Sequence, residues 1–292
     1  MKKTVMAIVP AVLITATAFV PQASAKPVYM SASHKASPSV HATQISLPKG
    51  TEGSTNWAGY IATPATGSSQ FTSITGSWVV PEISGIPTSL GSQWIGLGGV
   101  TSSDLLQMGT IEQFVGHREV VTLFWEKLPA SAQNLVTVPI GSKVQASISS
   151  QDGSNWSLDF RVVEPGGRIL NKKVSVNLTS DYVTGIGTSA EWISEDPSDQ
   201  NGQLYPLANT GVVQFTQSKA NGKPISSSVN QVHPVALVTS SGRVRIAPSA
   251  LSSGGTSFST INIGNQRLFG WNSHKWNRFQ TKGKLYHRHL IR

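Results

Sequence analysis

The sequence predicts an all-β protein built as an antiparallel sandwich or jelly roll. Three observations carry that expectation. From about residue 54, short runs rich in Val, Ile, Thr and aromatic residues recur along the chain, the composition of pleated, half-buried strands. Turn-forming clusters separate them: DGSN at 152–155, EPGG at 164–167 and ANGKP at 220–224. Gly, Asn, Asp and Pro supply the dihedral angles that reverse a chain. No stretch shows a convincing helical period, and no repeat recurs at a fixed spacing.

The runs follow in order, and side-chain alternation gives several of them two distinct faces. SITGSWVVP (73–81) is the first clear strand. SQWIGLGG (92–99) sets Ile95 and Leu97 on one side, Trp94 and Gly96 on the other. DLLQMG (104–109) sets Leu106 and Met108 against Leu105 and Gln107. REVVTLFWEKLP (118–129) sets Leu123 and Trp125 against Phe124 and Glu126. NLVTVPI, KVQASISS, WSLDFRVVEPGG and KVSVNLT read as four more strands. AEWISED (190–196) gathers Glu191, Ile193 and Glu195 on the face opposite Trp192. GVVQFTQ and HPVALVTS complete the series. If these strands are neighbours, Trp94, Gln107, Glu126 and Glu195 line one concave surface. The ordinary alternative is a wet sheet face on which such residues are merely solvated.

Around this core the chain divides by composition. Lys2 and Lys3, an apolar run, and the small residues Ala23 and Ala25 fit a secretory signal peptide over 1–25. Residues 26–50, rich in Ser, Lys, His and Pro, read as a pro-segment or linker. The sandwich domain is expected over 51–264, followed by a basic tail over 265–292. The apolar N-terminal run is interrupted and short for a spanning helix. The expectation is therefore an exported, monomeric protein without a membrane span.

The formal charge of +9 hides an uneven distribution. Residues 51–264 hold 11 Lys and Arg against 14 Asp and Glu, a balance of 11 − 14 = −3. The excess basicity lies at the two ends. A nucleic-acid binder would carry it on the folded domain, so no nucleic-acid partner is expected. The seven cations from Arg267 onward suit disorder or weak attachment to an anionic surface such as a cell wall.

Several catalytic plans fail on inspection. There is no cysteine, which removes thiol nucleophiles and thiolate zinc sites. No G-x-S-x-G elbow and no H-E-x-x-H motif occurs. The central region holds two histidines. His117 sits beside Gly116 as a turn residue and His233 precedes a proline, and nothing points to a Ser-His-Asp triad. No metal or cofactor is expected. What remains is carboxylates, amides and tryptophans on strands.

Those residues carry a resemblance. TNWAGY, WVVP, QWIGLGG, LLQMG, FWEKLP, AEWISED and VVQFTQ occur in that order over about residues 54–218, and together they resemble the glutamic peptidases, the eqolisin family of acid proteases. The resemblance implies two highly curved antiparallel sheets packed as a β-sandwich, of concanavalin-like or jelly-roll type. It implies an acid endopeptidase acting on protein or peptide substrates, which the signal peptide and pro-segment read above would make a secreted enzyme and a zymogen. It assigns the catalytic pair to Gln107 and Glu195, and substrate contacts to Trp57, Trp94, Phe124 and Glu126. Glu195 would deprotonate a water, and the Gln107 amide would stabilise the oxyanion. A protonated Glu126 donating a hydrogen bond would account for a fall in activity at neutral pH. Two positions depart from the pattern. Gly98 stands where the family has an aspartate, and Lys127 where it has an aromatic residue.

Two rival readings follow from the same residues. A glycoside hydrolase would pair Glu126 with Glu195, since Glu191 and Glu195 are about 13 Å apart along one strand, too far for either standard carboxylate spacing. A lectin-like carbohydrate-binding module would use the tryptophans as sugar platforms without catalysis.

Overall fold

A computed structural model describes residues 46–199 and 201–264. The expected signal peptide, most of the pro-segment and the basic tail lie outside the described residues. Sixteen strands and one helix follow in order. The strands are β1 (Glu52–Ser54), β2 (Trp57–Pro64), β3 (Ser73–Val79), β4 (Leu90–Gly98), β5 (Leu105–Val115), β6 (Arg118–Lys127), β7 (Gln133–Val138) and β8 (Lys143–Ser150). Then come β9 (Asn155–Val163), β10 (Ile169–Asn177), the helix α1 (Ser180–Ile186), β11 (Ala190–Glu195) and β12 (Val212–Ala220). The series ends with β13 (Lys223–Pro224), β14 (Asn230–Val238), β15 (Val244–Pro248) and β16 (Phe258–Asn262).

The main strands form one continuous ladder that doubles back on itself, in the order β10-β9-β8-β3-β12-β16-β15-β14-β2-β11-β4-β5-β6-β7. Every pair is antiparallel except β1 with β14. One layer runs from β14 to β7, the other from β10 to β12. β12 turns the corner: its first half pairs with β16 and its second half with β3, across a register shift between Thr216 and Lys219. Such an irregularity bends a strand and sharpens its twist.

The layers pack as the alternation predicts. Ile95, Leu97, Leu106, Met108, Leu123 and Trp192 from the first layer meet Ile74, Trp78, Val144, Ile148, Leu158 and Phe160 from the second. A sandwich core of interdigitating inner faces results. The helix α1 was not expected. Its seven residues are too few to show a period. Thr179 caps it by accepting from the Tyr182 amide, and Tyr182 and Ile186, four residues apart, bury one side. The short strands β15 and β16 also escape a reading based on long runs. Packing begins before residue 51, because Leu47 lies against Ala236, Val238 and Val244.

Candidate active site

The four strands singled out by alternation are contiguous, in the order β11-β4-β5-β6. Their outer face carries the site. Register puts Gln107 directly opposite Gly96 on β4 and Glu126 on β6. One step along, Trp94 pairs with Ile193 and Gly109, and Gly109 with Phe124. One step further, Glu195 pairs with Trp57 on β2 and Ser92 on β4. All six residues expected from the resemblance therefore share one face.

This face is not the wet surface of an ordinary antiparallel sheet. Trp57, Trp94, Phe124, Leu105, Ile111 and Ile193 build a second apolar cluster there. Gln107 and Glu126 are 0 % exposed and Glu195 is 1 % exposed. Burying such groups is costly without hydrogen bonds, so their partners define the arrangement.

Glu195 receives three N–H donors. Asn56 Nδ2 donates to Oε1 at 3.1 Å and Trp57 Nε1 to the same oxygen at 3.2 Å. Trp94 Nε1 donates to Oε2 at 2.7 Å. The two indoles stand edge to face, with centroids 5.1 Å apart. The polar edges of the two tryptophans thus hold the carboxylate. Asn56 was not singled out in the sequence, although it stands beside Trp57 in the TNWAGY segment. Its own loop is tied down, since the Trp57 amide donates to Ser54 Oγ and the Asp196 amide to the Asn56 carbonyl.

Gln107 donates from Nε2 to Glu126 Oε2 at 2.5 Å. A primary amide carries two N–H bonds, so this contact fixes the amide plane and leaves one N–H for another acceptor. Its carbonyl Oε1 has no hydrogen-bond partner among the described residues.

Trp94 links the two groups. A Cβ on Gly96 would lie 2.8 Å from Trp94 Cζ3 and 3.3 Å from Gln107 Cβ. Only glycine leaves room there for the benzo edge of the indole, whose pyrrole N–H reaches Glu195. Gly109 serves the same close packing. A Cβ there would lie 2.1 Å from the Gln93 carbonyl oxygen and 2.5 Å from Trp94 Cβ.

Electrostatics around the site are set by burial. Asp196, next to Glu195, pairs with Arg245 at 2.8 Å. Burial nonetheless outweighs the guanidinium and pushes its carboxyl up to about 7, with Glu195 adding to the rise. Glu191 shares the face and also lies opposite Gly96. Burial raises its carboxyl well above the usual range, against a small opposing pull from Ser189. Neither of its oxygens meets a partner in hydrogen-bond geometry.

The two departures from the family pattern sit away from Glu195. Lys127 pairs with Leu106, so it faces the sandwich core side rather than the site. Its ammonium lies 4.8 Å from the centroid of the Tyr182 ring on α1, and it draws down the Asp104 carboxyl, which burial otherwise raises. Gly98 has φ +91°, and a Cβ there would lie 2.2 Å from the Asp104 carbonyl oxygen. An aspartate in that place would force the backbone to move. His117 is exposed in the turn between β5 and β6, and His233 pairs with Glu52 at 3.6 Å. Among the described residues no group of three or more His, Asp or Glu could hold a metal ion, and no helix is long and apolar enough to cross a membrane.

Comparison with solved structures gives the fold a precedent. The chain is similar to scytalido-glutamic peptidase, solved with a transition-state analog inhibitor, at 22% identity and a TM-score of 0.57 over 72% of this chain and 98% of that one. It is similar to SCP-B, an eqolisin solved with the tripeptide Ala-Ile-His, at 22% identity and a TM-score of 0.53 over the same shares. No curated protein matches by sequence. The model of the Peptidase A4 family matches residues 55–260, a span that contains every residue of the site. The chain belongs to that family, and the protein is a glutamic-type peptidase.

Proposed function

We propose that the protein is a secreted acid endopeptidase in which Glu195 activates water and Gln107 stabilises the oxyanion. The supporting observation is the asymmetric dressing of the two groups. Glu195 is a buried carboxylate oriented by three N–H donors on both its oxygens. Gln107 is a buried amide fixed by Glu126, with a second N–H to spare.

Glu195 takes a proton from a water held beside it, acting as general base. The hydroxide adds to the scissile carbonyl, and the C–O bond formed places negative charge on the former carbonyl oxygen. The remaining Gln107 N–H donates to that oxygen without any change in its own charge. One such donor is worth about 3 kcal/mol in the transition state. Glu195 then passes its proton to the amide nitrogen, the C–N bond breaks, and carboxylic acid and amine leave. No covalent intermediate forms. Trp57, Trp94, Phe124 and Glu126 shape the cleft that receives the peptide.

A glycosidase would instead need Glu126 and Glu195 to flank one bond. That reading gives the Gln107 amide no role, whereas Gln107 is held by Glu126 in the same buried face as Glu195.

Secretion and activation complete the reading. The signal peptide is removed at Ala25, and the pro-segment is then lost near residue 51. Before that, Lys35 or Lys49 of the pro-segment would oppose the carboxylates of the site by charge and hold the enzyme inactive, and protonation of carboxylates and of His34 and His41 in acid would weaken that attraction. Digestion of casein at acid pH by the purified protein, unchanged by chelators and absent toward polysaccharides, tests the activity. N-terminal sequencing of the active secreted species tests the processing. An active form still beginning at Lys26 would remove the pro-segment from the account.

A further inference from the structure

The far side of the molecule holds a second concave surface. The outward residues of β10, β9, β8, β3 and β12 line two adjoining hollows of about 610 and 470 Å³. The hollows share Ser77, Gln145, Arg161 and Gln217. These four lie along one row of the sheet, since register pairs Arg161 with Gln145, Gln145 with Ser77, and Ser77 with Thr216 beside Gln217.

Two features set this face apart from a merely solvated one. The first is preorganisation. Arg161 Nη1 donates to Gln145 Oε1 at 3.4 Å, Gln145 Nε2 donates to Gln217 Oε1 at 3.5 Å, and Ser77 Oγ donates to the same oxygen at 3.1 Å. Gln217 itself has φ +54° at the bend of β12. A side chain rarely adopts that conformation, and such strain concentrates at binding and switch sites. It places the Gln217 amide where the two hollows meet.

The second feature is charge. The outward charges lining the hollows are Lys143, Arg161 and Lys173 against one acid, Asp159, a local balance of 3 − 1 = +2; Lys172 pairs with the inward Phe160 and so lies on the core side of β10. The surrounding domain, residues 51–264, carries −3. Arg161, Lys143 and Lys173 enter no ion pair among the described residues. Asp159 lies opposite Lys173 in register, yet its carboxylate accepts instead from Ser157 Oγ at 2.5 Å.

We propose that this face is a groove for an acidic polysaccharide, a chain of hydroxylated rings bearing carboxylates. Unpaired cations suit the carboxylates, and the amides and hydroxyls interleaved with them suit the ring hydroxyls. The aromatic residues lining the hollows, Trp78 and Phe160, are buried beneath the sheet surface. A single-stranded nucleic acid would therefore find no stacking platform. An acidic peptide would pair with the unpaired backbone of the edge strand β10 rather than lie across the row of side chains, and polyglutamate in the test distinguishes the two. The groove would hold the enzyme on an acidic matrix while the opposite face cleaves peptides.

The test measures binding of the full chain to polygalacturonate at pH 5 and low salt, beside dextran, polyglutamate and single-stranded DNA. The expected result is salt-sensitive binding to polygalacturonate, weaker binding to polyglutamate and DNA, and none to dextran. The double variant Arg161→Ala, Lys173→Ala should weaken polygalacturonate binding at least tenfold with casein cleavage intact. Unchanged binding by that variant would place the attachment elsewhere, including on the basic tail, and overturn the proposal. Equal binding to dextran, or preference for polyglutamate or DNA, would overturn it as well.

Discussion

Strands β11, β4 and β5 bury glutamine and glutamate side chains on both faces. On the outer face are Gln107 and Glu195, together with Glu191, whose oxygens meet no hydrogen-bond partner among the described residues; on the inner face are Gln93 and Glu112, all at most 1 % exposed. Their surroundings differ sharply. Glu195 has three N–H donors and Gln107 a fixed partner in Glu126. Among the described residues, neither oxygen of Glu112 and neither polar atom of the Gln93 amide meets a hydrogen-bond partner. Burial pushes the Glu112 carboxyl up to about 8, the nearby Thr110 hydroxyl lowers it slightly, and Glu119 adds to the rise. Thr210 and Ala208 close that end of the core over Gly91 and Glu112. The same pair of residue types is thus a dressed, oriented set on one face and an undressed, neutral one on the other. Donor geometry, rather than the presence of a Gln and a Glu, marks the site.

The comparison can be broken most forcefully at Gln107. Gln107→Ala removes the oxyanion donor and should lower kcat on a peptide substrate by about a hundredfold or more, the usual scale for such a donor. KM should change far less. Gln93→Ala, on the other face, should leave kcat within a few-fold of the parent in protein that still folds. A smaller effect is expected at Trp94. Trp94→Phe keeps an aromatic ring over Gly96 but deletes the 2.7 Å N–H donor to Glu195. A hydrogen bond to a charged group is worth about 1.5–3 kcal/mol, so kcat should fall roughly ten- to a hundredfold.

Stability should report the buried carboxyls whose charge burial disfavours. Glu112 at about 8, Asp196 at about 7 and Glu191 are all raised by burial. Each is therefore protonated in the folded protein at a pH where the unfolded chain has already released that proton. The unfolded state binds fewer protons in this window, so stability falls as pH rises. Their contribution is complete below about pH 4, near the unfolded carboxyl values, and is lost progressively toward pH 8. Melting should be highest in acid and drop steadily through neutrality. Glu112→Gln, which cannot ionise, should flatten that drop, with a gain on the order of a few kcal/mol near pH 8. A melting curve equally steep in the variant would show that Glu112 does not drive it.

Glu191→Gln should be the mildest change in activity. The residue shares the outer face, but it lies about 13 Å along the strand from Glu195, and its oxygens hydrogen-bond to neither Glu195 nor Gln107. A loss of kcat comparable to that of Gln107→Ala would make Glu191 part of the machinery.

Much of this arrangement was legible in the sequence, for definable reasons. Alternation sorted Leu106 and Met108 from Gln107, and Leu123 from Phe124 and Glu126, because strand periodicity is local. Alternation then gathered Trp94, Gln107, Glu126 and Glu195 on one surface, and the ordered segments added Trp57 and Phe124 as substrate contacts. What the sequence could not show was the depth of that face. A Gln among apolar neighbours reads as solvated until Trp57, Trp94 and Phe124 are seen to cover it. Asn56 and Arg245 were also illegible, since their partners, Glu195 and Asp196, lie 139 and 49 residues away along the chain. The helix α1 was lost because seven residues cannot establish a period. Lys127 stood in the sequence as a departure from the family pattern without a stated partner, and the fold sets it beside Tyr182 of α1.

The account rests on Glu195 being the base, and that is measured most directly by comparing Glu195→Gln with Glu112→Gln. Both would be assayed for casein cleavage at one acid pH, in protein shown to unfold cooperatively. Both substitutions replace a buried carboxyl by an amide of the same shape, on opposite faces of the same sheet. Glu195→Gln should lose at least about a hundredfold in kcat, the scale of a general base, while Glu112→Gln keeps the parent's rate. A folded Glu195→Gln that cleaves casein like the parent would contradict the account.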